Sequence, residues 1–193
     1  MFHVKHAAKL QTYADLLRKW QRSINLVGRS TLDDLERRHF DDSLQLLSLL
    51  PSEARSLLDL GSGAGFPGLV IAAERPDIAV TLVESDQRKA AFLIEVARAI
   101  APNATVKATR IEALPPFPVD VVTARALAPL PKLLAWAAPF AVDPAICLFH
   151  KGATVDAELT EAARGWMMDV QRVPSVTEPN ASILRIARLR PRI

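Results

Sequence analysis

The sequence predicts a doubly wound α/β sheet, and three observations carry the prediction. An apolar strand, Leu57-Leu58-Asp59-Leu60, runs straight into a glycine-rich turn, Gly61-Ser62-Gly63-Ala64-Gly65-Phe66-Pro67-Gly68, and then into an apolar helix starting at Leu69. Downstream, strand and helix patterns alternate, which is the signature of parallel strands joined by helices packed on both faces. The last two strand patterns follow one another with no helix between them. That ending predicts a closing hairpin and one antiparallel strand in a seven-stranded, Rossmann-like sheet.

Taken in order, residues 7–22 read as an amphipathic helix. Leu10, Tyr13, Leu16, Leu17 and Trp20 recur at three- and four-residue spacing, with Trp20 as an anchor onto the body. Ser23 to Gly28 reads as a turn. Thr31 is expected to cap a helix over Leu32 to His39, with acids in its first turn and bases in its last. A further apolar helix, Leu44 to Leu50, starts at Asp42 or Ser43 and stops at Pro51. After the glycine turn, Pro67 is expected at the first helical position, where its missing N–H costs nothing. Helices are expected at 67–75, 86–100, 128–138 and 155–164, and strands at 79–84, 104–108, 119–124, 145–150, 167–173 and 183–189. Pro115-Pro116-Phe117-Pro118 is a stiff loop into a strand rather than a boundary. The expected organisation is a single domain over 1–193, with residues 1–52 forming an N-terminal helical cap on a core of 53–193.

Bulk properties exclude several classes. Half the 193 residues are apolar and 23% are charged, so the chain is globular rather than disordered. The single Cys147 lies in an apolar run and reads as a buried small hydrophobe in a reducing compartment. No Cys/His cluster has zinc spacing, so no metal is expected. Met1 to His6 lead into no apolar signal-peptide region, and no apolar run approaches a membrane span. The expected location is the cytoplasm. A net charge of +3 and a pI near 9.3 suit a polyanionic partner without requiring one.

The glycine turn admits two cofactors. Gly63, Gly65 and Gly68 spell the dinucleotide fingerprint, a weak signal on its own. A pyrophosphate on the helix N-terminus would be repelled by Asp59, just ahead of the glycines. An acid there favours a ligand with a cationic group, such as the amino group of S-adenosylmethionine (AdoMet), over NAD or FAD. Glu84, at the end of the second strand, can accept both hydroxyls of an adenosine ribose in either case.

In this order, the pieces resemble the bacterial small-subunit ribosomal RNA methyltransferase G family, also called glucose-inhibited division protein B, over nearly the whole chain. Trp20, Asn25-Leu26, Arg38-His39 with Asp42-Ser43, the loop from Asp59 to Gly68, Glu84-Ser85, Phe92-Leu93, Arg110-Ile111-Glu112, Thr123 to Ala126, and Lys151-Gly152 carry the likeness. The glycine loop and the Arg-His-x-x-Asp-Ser segment are specific in combination. The resemblance implies a class I AdoMet-dependent methyltransferase fold. It also implies methylation of N7 of guanine 527 in 16S rRNA and release of S-adenosylhomocysteine. The substrate would be the RNA or a small-subunit precursor particle, and the enzyme a monomer. Arg88-Lys89 stands where many relatives read Lys-Arg, and Ala181-Ser182 where a basic pair often precedes the last strand. Fewer residues precede Trp20 than in many relatives.

The resemblance maps cofactor contacts onto Gly61, Phe66, Ile111, Glu112 and Arg125. Asp59, Ser62, Gly63, Gly65 and Glu84 join them from the loop and the strand end. Arg125, just after the fourth strand, sits where open α/β sheets bind ligands. It can pair with the cofactor carboxylate or an RNA phosphate, or with a nearby Asp as structure alone. His39 is read either as structural or as a group that seats the guanine. Lys151 faces the same cleft or is a solvated strand-end lysine, and Glu112 meets adenine or is an exposed loop acid. Phe66 is a candidate stacking surface for the unstacked base. Arg37, Arg38 and Lys151 are expected RNA contacts. Lys5, Lys9, Arg18, Lys19 and Arg22 extend one basic cluster, and Arg185, Arg188, Arg190 and Arg192 form a second. Guanine N7 has a lone pair and no proton, so no general base is expected and positioning should dominate. The competing readings are a methyltransferase for protein or a small molecule, and a non-catalytic AdoMet-binding or ribosome-associated scaffold.

Overall fold

The computed structural model describes residues 2–192. Seven strands form one sheet in the order β3-β2-β1-β4-β5-β7-β6. They are β1 (Ser56–Leu60), β2 (Ala79–Val83), β3 (Ala104–Lys107), β4 (Val121–Arg125), β5 (Ile146–Lys151), β6 (Trp166–Pro174) and β7 (Ser182–Pro191). The first five are parallel, and β7 runs antiparallel to both its neighbours, β5 and β6. The central strands β1, β4 and β5 are almost continuously apolar because both their faces are covered. One face packs on α1 (Phe2–Gln21), α4 (Gly68–Glu74) and α5 (Gln87–Ile100), and Leu57, Leu82 and Leu148 point into that layer. The other packs on α6 (Leu130–Ala137) and α7 (Val155–Gly165), with Leu58, Val122 and Phe149 pointing into it. This is the doubly wound sheet with an antiparallel last strand that the alternation implies.

The segment ahead of β1 is less regular than its apolar spacing suggests. Thr31 is not an N-cap: it lies inside a single turn, α2 (Arg29–Leu32), with Gly28 at the cap, and its hydroxyl donates to the Gly28 carbonyl at 2.8 Å. A π-helical turn, Glu36–Asp41, follows, then the short α3 (Asp42–Leu44) and a 3-10 turn, Gln45–Leu49. Pro67 likewise stands at the cap of α4 and not at its first helical position. Asp86 caps α5, accepting the N–H groups of Arg88 and Lys89. Trp20 does anchor α1: its indole N–H donates to Glu95 at 2.8 Å, and its ring meets the edge of Phe92. Cys147 is buried and free, and burial pushes its thiol up to about 12. No described helix is long and apolar enough to cross a membrane.

Candidate active site

The carboxyl ends of the five parallel strands open onto one cleft of about 860 Å³. Its core wall is the loop after β1 (Gly61 to Ala64, and Phe66), Glu84 after β2, Thr109 to Glu112 after β3, and Ala126 and Leu127 after β4, while Arg125, the last residue of β4, reaches across to the cap. Its other wall is the cap, through Leu26 to Gly28, Arg38, His39 and Asp42, together with the β6–β7 loop through Thr177 and Glu178.

The loop after β1 is fixed by its own backbone. Ser62 N–H donates to Val83 O at 2.9 Å, and Gly65 N–H to Ser62 O at 2.7 Å. Glu84 is buried beneath the loop. One carboxylate oxygen accepts Gly63 N–H at 2.8 Å, and the other accepts Asp86 N–H at 2.8 Å. Of the four loop glycines, only Gly63 faces empty space. With φ +57°, the nearest atom to an added Cβ would be Gly61 O at 3.8 Å. A Cβ at Gly61 would collide with Leu127, and one at Gly68 with Leu82. At Gly65 it would collide with the Tyr13 hydroxyl. Gly65 therefore answers to packing on the side where a Cβ would stand.

Asp59 sits beneath the loop. It is fully buried and does not line the cleft. Its register partner across the β1–β4 ladder is Thr123, whose hydroxyl donates to it at 2.7 Å, and it lies against Gly68 at the start of α4. Burial raises its carboxyl to about 6. Ser62 lines the cleft by backbone, and its hydroxyl turns inward to Asp59 O at 3.1 Å. Ile111 and Glu112 form a 3-10 turn on the cleft, where Glu112 accepts the Trp136 indole N–H at 3.1 Å.

On the cap wall the expected cations are already engaged. Arg125 donates to Asp42 at 3.1 Å, to Arg38 O at 3.2 Å and to His39 Nδ1 at 2.8 Å, and its guanidinium lies 5.0 Å from the Phe66 ring centre. A guanidinium only donates, so His39 Nδ1 is an acceptor and its Nε2 carries the proton. That N–H meets the Thr31 hydroxyl at 2.9 Å, which passes its own proton to Gly28 O. Burial, and then the Arg125 charge, lower His39 to about 4. His39 is thus neutral with both nitrogens engaged. Asp42 gathers the wall together: it also accepts from Thr177 at 2.7 Å and Gln45 at 2.9 Å, and its carbonyl accepts the His150 ring N–H at 2.9 Å.

Three further expected site groups have internal partners. Phe66 is no free stacking platform: it is 4% exposed, with Tyr13 (5.2 Å between centres) and His39 (4.9 Å) stacked on it. Lys151 lines the cleft and is not a solvated lysine: at 8% exposure it pairs with Glu158 and donates to Ala128 O, and Glu158 in turn accepts the first N–H of α6. Arg38 pairs with Glu178, and Arg37 donates to Thr177 O at 3.0 Å, so both tie the cap to the β6–β7 loop.

In the outer basic clusters, Lys9, Arg18, Lys19 and Arg188 all have internal partners, and the Lys5 side chain lies outside the described residues. Sequence reasoning missed Tyr13, Thr177, Glu178 and Trp136 as site residues. Only Tyr13 left a signal, as the one hydroxyl on the apolar stripe of its helix.

A family model described as GidB, rRNA small subunit methyltransferase G, matches residues 6–184. A relative named Ribosomal RNA small subunit methyltransferase G from Rhodospirillum rubrum is 57% identical over 182 residues, covering 94% of this chain and 90% of its own. One of the same name from Gluconobacter oxydans is 48% identical, covering 93% and 92%. Among solved structures, a fibrillarin/Nop5p complex superposes with a TM-score of 0.62 at 14% identity, covering 79% of this chain and 82% of that one.

Proposed function

The chain belongs to the GidB family, rRNA small subunit methyltransferase G, and from that premise we propose that it transfers a methyl group from AdoMet to N7 of guanine 527 in 16S ribosomal RNA. The observation that carries the cofactor half of this reading is Gly63, the one loop glycine with open space before it, set beside the Glu84 carboxylate.

The residues present fit AdoMet. A ligand can lie against the Gly63 backbone because no Cβ intervenes. Each Glu84 oxygen has accepted one N–H and keeps a second lone pair for a ribose hydroxyl. Ile111 supplies an apolar wall for adenine, and Glu112 a carboxylate beside it. The cleft volume lies within the roughly 300–1,000 Å³ usual for small-molecule sites. When bound, AdoMet supplies an electrophilic sulfonium methyl group. Guanine N7 brings a lone pair and no proton, so the protein has only to orient and desolvate. His39 suits that role, because it is neutral, holds Arg125 in place and takes no proton. Arg125 places a positive charge between the cap and the cleft, where a cofactor carboxylate or an RNA phosphate can displace Asp42 from one of its N–H groups.

We read residues 1–52 as the cap of one catalytic unit that acts in the cytoplasm as a monomer without a metal. Arg37 and Arg38 serve as phosphate contacts once their partners in the β6–β7 loop give way. The test supplies labelled AdoMet with naked 16S rRNA, assembled small subunits and bulk protein in parallel, then maps the modified nucleotide. Label confined to N7 of guanine 527 is expected. Label in protein, or at an exocyclic amine, would overturn the assignment.

A further inference from the structure

Tyr13 belongs to the cap helix, yet its closest polar partner is the cofactor loop. It is fully buried, and its hydroxyl donates to the carbonyl of Ala64, between Gly63 and Gly65. The loop is shaped to receive it. Gly65 holds φ +92°, and a Cβ there would occupy the place of the Tyr13 oxygen while standing 2.6 Å from Leu69 Cδ1. The ring is stacked on Phe66, 13° from parallel, and Phe66 also carries Arg125 over its ring. Burial holds the phenol well above its ordinary value, so it remains a donor.

The Gly63-to-Gly65 backbone is therefore gripped from two sides. Glu84 accepts the Gly63 N–H from the core, and Tyr13 supplies a proton to Ala64 O from the cap. The Gly65 N–H is held by Ser62 O. With the Tyr13 bond in place, no polar group of the Ala64–Gly65 peptide is free to let it rotate. Without it, the Ala64 carbonyl is buried and unpaired, and turning the peptide is its way to find a partner.

We propose that Tyr13 is a positioning residue for AdoMet: its hydroxyl, delivered by the cap helix, fixes the peptide beside Gly63 in the orientation that binds the cofactor, so that cap docking and cofactor binding are coupled. The inference rests on the reading of this cleft as the AdoMet site. Coupling is reciprocal, so bound AdoMet should in turn hold α1 against the core.

Tyr13→Phe keeps the ring and its stacking and deletes only the donor. Trp20→Phe is the control, because it deletes one N–H bond, to Glu95, at the far end of the same helix. AdoMet affinity is measured by calorimetry, KM for AdoMet and for RNA are measured separately, and amide exchange in α1 is followed with and without AdoMet. Tyr13→Phe should raise Kd and KM for AdoMet about tenfold, the usual order for a buried hydrogen bond, with KM for RNA unchanged. AdoMet should slow exchange in α1 in the wild type and much less in this variant. Trp20→Phe should lower Tm and leave AdoMet affinity within twofold. If Tyr13→Phe is too unstable for calorimetry, the rise in Tm at saturating AdoMet serves instead and should be smaller than in the wild type. Unchanged AdoMet affinity in Tyr13→Phe, or an equal loss in both variants, would overturn the proposal. A wild type that fails to bind AdoMet at all would overturn the cofactor reading itself.

Discussion

The core wall of the cleft presents Glu84 with a lone pair left on each oxygen and Gly63 with nothing in front of it. The cap wall presents Asp42 against Arg125 and Arg38 against Glu178. One wall is held by backbone hydrogen bonds and keeps its recognition groups available. The other is held by those groups themselves. The difference separates two binding problems. A small cofactor can enter a site already in its bound shape, with little ordering left to do. A polyanion must replace internal carboxylates one at a time, and each exchange is nearly balanced in energy because one anion replaces another.

The sharpest way to break this contrast is at Gly63. Gly63→Val puts a β-branched side chain at φ +57° into the open space of the core wall. It should abolish AdoMet binding, by at least about a hundredfold, while circular dichroism reports an intact fold. Retained binding by calorimetry would show that the cofactor approaches elsewhere. On the cap wall, Asp42→Ala leaves Arg125 half-buried without its carboxylate and frees Thr177. A loss of stability of about 3–5 kcal/mol, read from denaturant unfolding, is expected there, with AdoMet affinity changing far less than in Gly63→Val.

His39 gives a pH signature. Its native value is about 4, against an unfolded value of about 6.5. Between those limits the unfolded chain binds the proton and the native chain does not. The His39 contribution to stability is therefore full above about pH 6.5, falls as pH drops toward about 4 and is constant below that. Thermal melts of wild type and His39→Gln should converge or diverge only within that window. Across the neutral range, well above the His39 value, single-turnover methyl transfer at saturating substrates should be nearly flat. A rising limb near pH 6–7 that vanishes in His39→Ala would instead indicate proton abstraction and a different target atom. The smallest effect is expected at Glu178, in a half-exposed pair worth about 0.2–1 kcal/mol. Glu178→Gln should free Arg38, tighten RNA binding by about two- to fivefold and steepen its salt dependence. Unchanged affinity and slope would mean that Arg38 does not meet phosphate.

The same two walls differ in how far the sequence reveals them. Glycine punctuation and apolar runs make the order from β1 through β7 legible, because those signals are local. The identity of the loop as a ligand site is legible for the same reason, although its glycines are not equivalent: an added Cβ would meet open space at Gly63 and side chains at Gly61, Gly65 and Gly68. The cap wall depends on partners distant in sequence. Arg38 reads as a free cation because Glu178 is 140 residues away, and His39 reads as a candidate base because Arg125 is 86 residues away. Thr31 has the composition of an N-cap, but its hydroxyl is taken by His39, a tertiary contact that no local rule weighs. Asp59 reads as facing the ligand, although its place opposite Thr123 in the ladder turns it into the protein interior.

The position of β7 between β5 and β6 bears on how the chain is made. Translation delivers β6 before the strand that will join it to the sheet. Until residues 182–191 emerge from the ribosome, β5 has an open flank and β6 has no ladder at all. Until then the nascent protein carries an open β5 edge and an unpaired β6, both exposed to strand-to-strand association with other chains. Closure of the sheet waits for β7, and the same event brings the β6–β7 loop onto Asp42 and Arg38. A chain halted before β7 would lack the finished cap wall as well as the finished sheet.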